Sequence, residues 1–249
     1  MADPSRDPAL PVVLVHGIRT SATMWRAQRV ALEAAGRTVR AVDLPGHGTR
    51  LGEPFTVDAC EQVVVDAIDE VGGEALLVGL SLGGYLSIEV AARNPGRVRG
   101  LVAAGCCTDP RVPVRAAWTW LSRWIERTPG SGAGLNAALV RAALSPQAQA
   151  DVGAGGFALR VMSEALEAVG SLDPLAALER SACPVWLVNG AWDHFRTQER
   201  AYLRAAARSG QPVRHVVVPR ARHLVSLDAP VAFSRVVLEA LDTVDPQPR

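Results

Sequence analysis

The chain contains no lysine, and all 26 of its basic residues are arginines. Without that amine there is no Schiff base to pyridoxal phosphate or to a carbonyl substrate. The phosphate-cradling lysine of a P-loop, the ATP-pairing lysine of a kinase and a Ser–Lys dyad are excluded with it. A G+C-rich genome accounts for the bias, since Ala, Gly, Arg, Pro and Val are all abundant. Also missing are cysteines at metal or redox spacing. Cys60, Cys106, Cys107 and Cys183 make no CxxC pair, and adjacent Cys106–Cys107 is a poor start for a disulfide or a zinc site. They read as small apolar residues buried in a reducing compartment. Excess charge of either sign is absent as well. Twenty-six basic residues against 25 acidic give +1, which leaves no electrostatic footprint for nucleic acid or an anionic membrane. No stretch approaches the ~20 apolar residues of a membrane span. Met1 to Leu10 is polar and proline-broken, with no run suited to a signal peptide. The expectation is a soluble cytoplasmic protein.

What is present supports one large domain. Of 249 residues 49% are hydrophobic, enough for a sizeable core. Short Val/Leu/Ala runs bounded by Gly or Pro occur at Pro11–Val15, Thr38–Val42, Ala75–Val78, Val98–Ala103, Val185–Val188 and Arg214–Val218. Their near-continuous apolarity suits strands buried on both faces of a parallel sheet. Helical stretches lie between them, at Ala22–Ala35, Val57–Val71, Gly83–Arg93, Glu199–Arg208 and Val231–Leu241. This rhythm predicts an α/β fold with a doubly wound, mostly parallel sheet. It breaks once. From Pro110 to Arg180 only helical pieces with glycine-rich joints appear, and roughly 70 residues are too many for a connection. The expected division is a core of residues 1–109 and 181–249, with a helical cap of residues 110–180 inserted in it. Half of the six tryptophans, Trp118, Trp120 and Trp124, sit on one helical piece of that insertion.

Gly79-Leu80-Ser81-Leu82-Gly83 follows a predicted strand and opens a predicted helix. A GxSxG pentapeptide alone is weak, but this context is that of a nucleophile elbow, whose strained serine needs small neighbours. The helix N-terminus behind Ser81 also favours developing negative charge. A serine hydroxyl needs a base, and the base needs an orienting acid. Of the five histidines, His223 lies in a loop after the last predicted strand, at the sheet edge where open α/β sheets assemble their sites. His215 sits within a strand-like run, and His47 is placed to pin its own turn-rich loop. Asp193, just after the strand Val185–Val188, is the expected acid. Asp109, after Val98–Ala103, is the rival, with a cap or turn role as its other reading. The order Ser81, Asp193, His223 is that of the α/β hydrolases, unlike chymotrypsin or subtilisin. Donors for an oxyanion are expected from the backbone N–H of Leu82 and of Ile18, in the loop His16-Gly17-Ile18-Arg19-Thr20-Ser21. Glycine at position 17 is expected to let that loop turn back over the serine.

With these pieces in place the sequence resembles the α/β-hydrolase superfamily of serine esterases with a helical cap. The resemblance rests on Val12–Gly17, the later Trp25, Val42–Gly48, Gly79–Gly84, Asn189–His194 and Arg222-His223, and spans nearly the whole chain. Two departures accompany it. Only about ten residues precede the His-Gly strand, so the antiparallel N-terminal edge of many relatives is expected to be absent or reduced. Leu80 stands before the nucleophile, where histidine is common. The resemblance implies hydrolysis of a carboxylic ester or thioester of a hydrophobic small molecule through an acyl-enzyme on Ser81. It calls for no cofactor and no metal, and for a small-molecule substrate rather than nucleic acid or a membrane, with the oligomeric state left open. Trp25, Trp118, Trp120, Trp124, Phe157 and Met162 are the candidate pocket residues, the last five as an apolar roof, although most of the insertion's tryptophans are expected to pack it against the body and one or two to face the pocket. Arg19 is either a solvated loop residue or a partner for a substrate carboxylate. Two other classes share the scaffold: non-hydrolytic enzymes, such as C–C bond hydrolases or hydroxynitrile lyases, and weakly catalytic binding proteins.

Overall fold

The apolar runs become six strands in a computed structural model that describes residues 9–111 and 114–245. They are β1 (Val12–Val15), β2 (Val39–Val42), β3 (Ala75–Leu80), β4 (Val98–Ala104), β5 (Val185–Gly190) and β6 (Val213–Val218). All pair in parallel, in the order β2-β1-β3-β4-β5-β6. Strands β1, β3 and β5 are buried along their whole length, which is why their sequences are apolar without alternation. The edge strands β2 and β6 carry arginines and are only partly covered. Residues 1–8, from which a reduced N-terminal edge was expected, lie outside the described residues.

Parallel neighbours need crossovers, and helices supply them. Helices α1 (Arg26–Ala34), α2 (Val57–Glu70) and α3 (Leu82–Arg93) connect the first four strands. The stretch between β4 and β5 carries helices and, among its described residues, no strand: α4 (Val114–Glu126), α5 (Ala133–Ala143), α6 (Pro146–Gly153), α7 (Met162–Val169) and α8 (Pro174–Glu179). Then follow α9 (Glu199–Arg208), α10 (Val225–Asp228) and α11 (Pro230–Val244). Side chains alternate across each strand, so the sheet feeds two apolar layers. Val13, Val15, Leu77, Leu101 and Leu187 join one layer with α2, α3 and α9. Val12, Leu14, Leu76, Val78 and Trp186 join the other with Leu32 of α1 and Phe233 of α11. The helical insertion contributes to both: Leu144, Ala148 and Val152 to the second layer, and Val161, Ala165 and Val169 to the first. Its last helix, α8, lies against α3 and α9.

The strand order positions the site. From β1 the chain moves outward to β2 and then returns to β3 on the other side of β1. The loops leaving β1 and β3 therefore diverge and open a crevice at their carboxyl ends. Buried imidazoles fix the β1 loop against the β2 loop. His16 Nε2 accepts from the Leu44 N–H at 3.0 Å, so the proton sits on Nδ1, which donates to the Gly17 carbonyl at 2.8 Å. His47 Nε2 accepts from the Arg19 N–H at 3.1 Å, and its Nδ1 donates to the Pro45 carbonyl at 3.0 Å. The Asp43 carboxylate beneath them accepts from Ala22 N–H at 2.7 Å and from the N–H and hydroxyl of Thr49, both at 2.9 Å. Burial alone would raise the Asp43 pKa, but these donors hold it below the ordinary value.

Each of these imidazoles uses one nitrogen as an acceptor, so both are neutral in the fold. Burial, with His47 beside it, drives the His16 pKa down to about 3, and burial lowers His47 too. The unfolded chain protonates His16 near 6.5, whereas the folded chain does not until about 3. The contribution to stability is therefore complete above pH 6.5 and is lost as pH falls, at about 1.4 kcal/mol per unit. Denaturant unfolding between pH 7 and pH 5 should show this loss. His16→Gln, which carries no proton, should show a slope shallower by about that amount. Equal slopes in the two proteins would mean that the folded state accepts the proton.

Candidate active site

The turn between β3 and α3 holds Ser81 at φ 56°, ψ −116°, a backbone conformation that a side chain rarely adopts. Its neighbours permit it by being glycine. A Cβ on Gly79 would collide with the Gly83 carbonyl and Ser87 Oγ, and one on Gly83 with the Val15 and His16 carbonyls. One on Gly84 would press on Cys106 Sγ at 2.8 Å. The serine backbone is held at both ends, its N–H donating to Ala104 O at 2.7 Å and its carbonyl accepting from Tyr85 N–H at 3.0 Å. Ser81 is buried, with 9% of its surface exposed.

His223 arrives from the loop after β6. Its Nε2 lies 2.9 Å from Ser81 Oγ, and its Nδ1 lies 3.0 Å from Asp193 Oδ1. With Nδ1–H donating to the carboxylate, Nε2 is the free acceptor for the serine hydroxyl. Gly105, at φ 61°, makes room for the ring: a Cβ there would sit 3.3 Å from His223 Cε1. Gly190 lets the β5 and β6 loops touch, since a Cβ on it would strike the Ala221 and Arg222 carbonyls. Sequence reasoning gave neither glycine a role: Gly105 stands in no motif, and Gly190 lies within the Asn189–His194 stretch without being singled out. It gave His194 no role and missed Phe195; their rings stand 5.1 and 4.7 Å from the His223 ring.

Asp193 is buried and receives a second hydrogen bond from Phe195 N–H at 2.8 Å. Burial alone would raise its pKa, but the His223 hydrogen bond and charge, with the Phe195 amide, hold the carboxyl below its ordinary value. Asp109 is committed elsewhere. Arg111 donates to it from Nε at 3.0 Å, from Nη2 at 2.9 Å and from its backbone N–H at 2.9 Å. His215 Nε2 lies 3.0 Å from Glu199 Oε1 at the edge strand β6.

Leu82 is the first residue of α3, so its N–H has no place in the helical ladder. Ile18 is the second residue of a turn closed by Thr20 N–H on the Gly17 carbonyl at 3.4 Å. Among the described residues neither N–H has a protein acceptor. Gly17 opens this turn without a positive φ. A Cβ there would make ordinary contact with Leu80 O at 3.5 Å and Ser81 Cβ at 3.6 Å, so the turn lies close against the serine.

The expected aromatic roof is not what the structure shows. Trp25 is fully buried, its ring 5.8 Å from Phe233 in the second apolar layer, because the turn leading into α1 carries it inward. Trp118, Trp120 and Trp124 point outward, exposed by 55, 69 and 58%. Helix α4 instead packs on α7 through small polar residues. Thr119 and Ser122 are buried, and the Glu126 carboxylate accepts from Ser163 N–H at 2.8 Å and Ser163 Oγ at 2.6 Å. Phe157 and Met162 are half-buried. Phe157 packs against the second layer and borders an open groove of about 630 Å³ between Leu51–Pro54 and Leu159–Val161. A second groove, of about 650 Å³, lies between Phe55–Asp58 and Glu164–Asp173. Ser81 lines neither.

The four cysteines are free and buried, and burial pushes the Cys60 and Cys107 thiols up to about 12, out of range for nucleophiles. Among the described residues no group of three or more His, Cys, Asp or Glu side chains could hold a metal ion. No described helix is long and apolar enough to cross a membrane.

Known proteins agree with this geometry at the level of family. The chain is 33% identical over 114 residues to a pimeloyl-[acyl-carrier protein] methyl ester esterase of Nitrosospira multiformis, which covers 44% of the chain and 42% of that protein. A Citrobacter koseri protein of the same description is 35% identical over 107 residues, 43% and 40% of the two chains. The match thus spans about two fifths of the length of these curated relatives. Among solved structures, a thermophilic esterase from Thermogutta terrifontis superposes with a TM-score of 0.77 at 24% identity, over 94% of this chain and 90% of that one. The model of the alpha/beta hydrolase family matches residues 12–236, and the chain belongs to that family.

Proposed function

We propose that the protein is a serine esterase that hydrolyses a carboxylic ester or thioester of a small, largely apolar molecule. The observation that carries this reading is the run of contacts from Ser81 Oγ through His223 to Asp193, at 2.9 and 3.0 Å, built on a strained serine. His223 takes the proton as Ser81 attacks the carbonyl, and the Ile18 and Leu82 amides hold the oxyanion. His223 then protonates the leaving alcohol or thiol, and water, deprotonated by the same imidazole, releases the acyl group from Ser81. Asp193 keeps the imidazole in the required tautomer and stabilises its charged form. The pimeloyl-carrier methyl ester esterases among the relatives support an ester as the scissile group. The helices between β4 and β5 act in this reading as a cap over Ser81, with Ile18 packed on the first apolar layer beside it. Four free, buried thiols support a reducing compartment, the cytoplasm.

Ser81→Ala should lower kcat on a nitrophenyl ester by at least ~1,000-fold while the unfolding midpoint stays near that of the parent. A rapid burst of nitrophenol in the parent would mark acyl-enzyme accumulation, and retained turnover in the variant would remove Ser81 from its role. Asp193→Asn should cost kcat roughly 100- to 10,000-fold, because the imidazole loses its orienting anion. Asp109→Asn should stay within about threefold of the parent, its carboxylate being engaged by Arg111. The opposite ranking would transfer the acid's role to Asp109.

A further inference from the structure

Arg19 is in the wrong place for an ordinary surface arginine. It is the third residue of the turn Gly17-Ile18-Arg19-Thr20 and has φ 68°, where such a turn calls for glycine or asparagine. Its backbone is pinned from both sides. The N–H donates to His47 Nε2 at 3.1 Å, and the carbonyl accepts from Ala158 N–H of the helical insertion at 3.2 Å. These bonds hold the strained conformation and fix where the side chain departs. Strain of this kind persists where the surroundings impose it, and it collects at functional positions.

The side chain is equally unusual. Arg19 Nε is buried and has no hydrogen-bond partner among the described residues. Burial draws the guanidinium pKa down, and the charge of Glu126 on α4 offsets part of that effect. Glu126 acts on the guanidinium through its charge, while its oxygens accept from Ser163 N–H and Oγ; among the described residues it leaves the Arg19 Nε–H without an acceptor. Arginine remains protonated at any pH the fold survives, and its planar fork matches a carboxylate. The adjacent residue, Ile18, carries an N–H assigned to the oxyanion. Arg19 thus follows directly on the residue that supplies that N–H, with its own backbone fixed by His47 and Ala158.

We propose that Arg19 is a specificity-determining residue that selects acyl groups ending in a carboxylate, so that the preferred substrates are monoesters or thioesters of dicarboxylic acids. This rests on the esterase reading of Ser81. The scissile carbonyl lies against the Ile18 and Leu82 amides, and the distal carboxylate takes the unpaired Nε–H and a neighbouring Nη–H of Arg19 as a bidentate pair. Methylenes between the two ends lie along the apolar side of Ile18.

The test compares two esters of matched length, the mono-p-nitrophenyl ester of glutaric acid and p-nitrophenyl valerate. Arg19→Gly removes the guanidinium while relaxing the backbone at φ 68°, so the variant should fold at least as well as the parent. The parent should prefer the acidic ester. Arg19→Gly should lower the ratio of kcat/KM values, acidic over neutral, by roughly 10- to 100-fold, chiefly through KM. Arg19→Lys, which keeps the charge without the fork, should fall between them. A ratio within threefold of the parent's, or a parent indifferent to the carboxylate, would overturn the assignment; so would equal losses on both esters, the mark of a merely structural arginine. Binding separates this outcome from failure of the esterase reading. In Ser81→Ala, monomethyl glutarate should raise the melting temperature, and Arg19→Gly in that background should abolish the rise. A rise that survives loss of Arg19 sinks the assignment even where valerate is hydrolysed. An Arg19-dependent rise in a chain whose serine neither labels nor turns over ester sinks the esterase reading and keeps the anion site.

Discussion

The backbone conformation of Ser81 is the constraint on which the rest of the site depends. At φ 56° the chain reverses between strand and helix so sharply that α3 begins directly behind the hydroxyl. That closeness leaves no room for side chains at Gly79 or Gly83, where a Cβ would meet main-chain carbonyls of the turn itself and of β1. Carbonyls cannot move aside as a flexible side chain can, so the glycines are structural necessities. The same closeness puts the Leu82 N–H, without a protein acceptor among the described residues, at the head of α3 directly after Ser81. Strain, glycine and free amide are therefore one feature seen from three sides.

Three imidazoles near the crevice perform different tasks because their partners differ. His16 and His47 each accept a backbone N–H, from Leu44 and Arg19, and burial keeps them neutral. They serve as fixed connectors between the loops leaving β1 and β2. His223 also accepts on Nε2, but its partner is a hydroxyl whose proton can be removed, and a carboxylate stands ready behind Nδ1. One tautomer thus gives a strut in two places and, in the proposed reading, a base in the third. The difference lies in the acidity of the donor and in Asp193, which stays ionised despite its burial.

Much of this was legible in the sequence, and the limits are physical. The strands β1, β3 and β5 were readable because burial on both faces leaves an unbroken apolar record. Ser81, His223 and Asp193 were readable because each lies just beyond the carboxyl end of a strand. The aromatic roof was not. Trp118, Trp120 and Trp124 have helical spacing, but spacing alone does not say which stripe of a helix is inward. In α4 the inward stripe is Thr119, Ser122 and Glu126, chosen by a hydrogen bond to Ser163 far along the chain. The roles of Gly105 and Gly190 escaped notice for the same reason. Their need arises from a ring and a carbonyl pair brought in by the β6 loop, and no local pattern records such contacts.

The helical insertion is rooted in both apolar layers, with Leu144, Ala148 and Val152 on one side of the sheet and Val161, Ala165 and Val169 on the other. Swinging it away as a rigid flap would tear buried side chains out of two places at once and expose them to water. Its anchoring makes it one cooperative unit with the sheet, melting when the sheet melts. Entry to the buried serine is thereby left to motions of single turns and side chains, on a smaller and faster scale than the travel of a hinged domain.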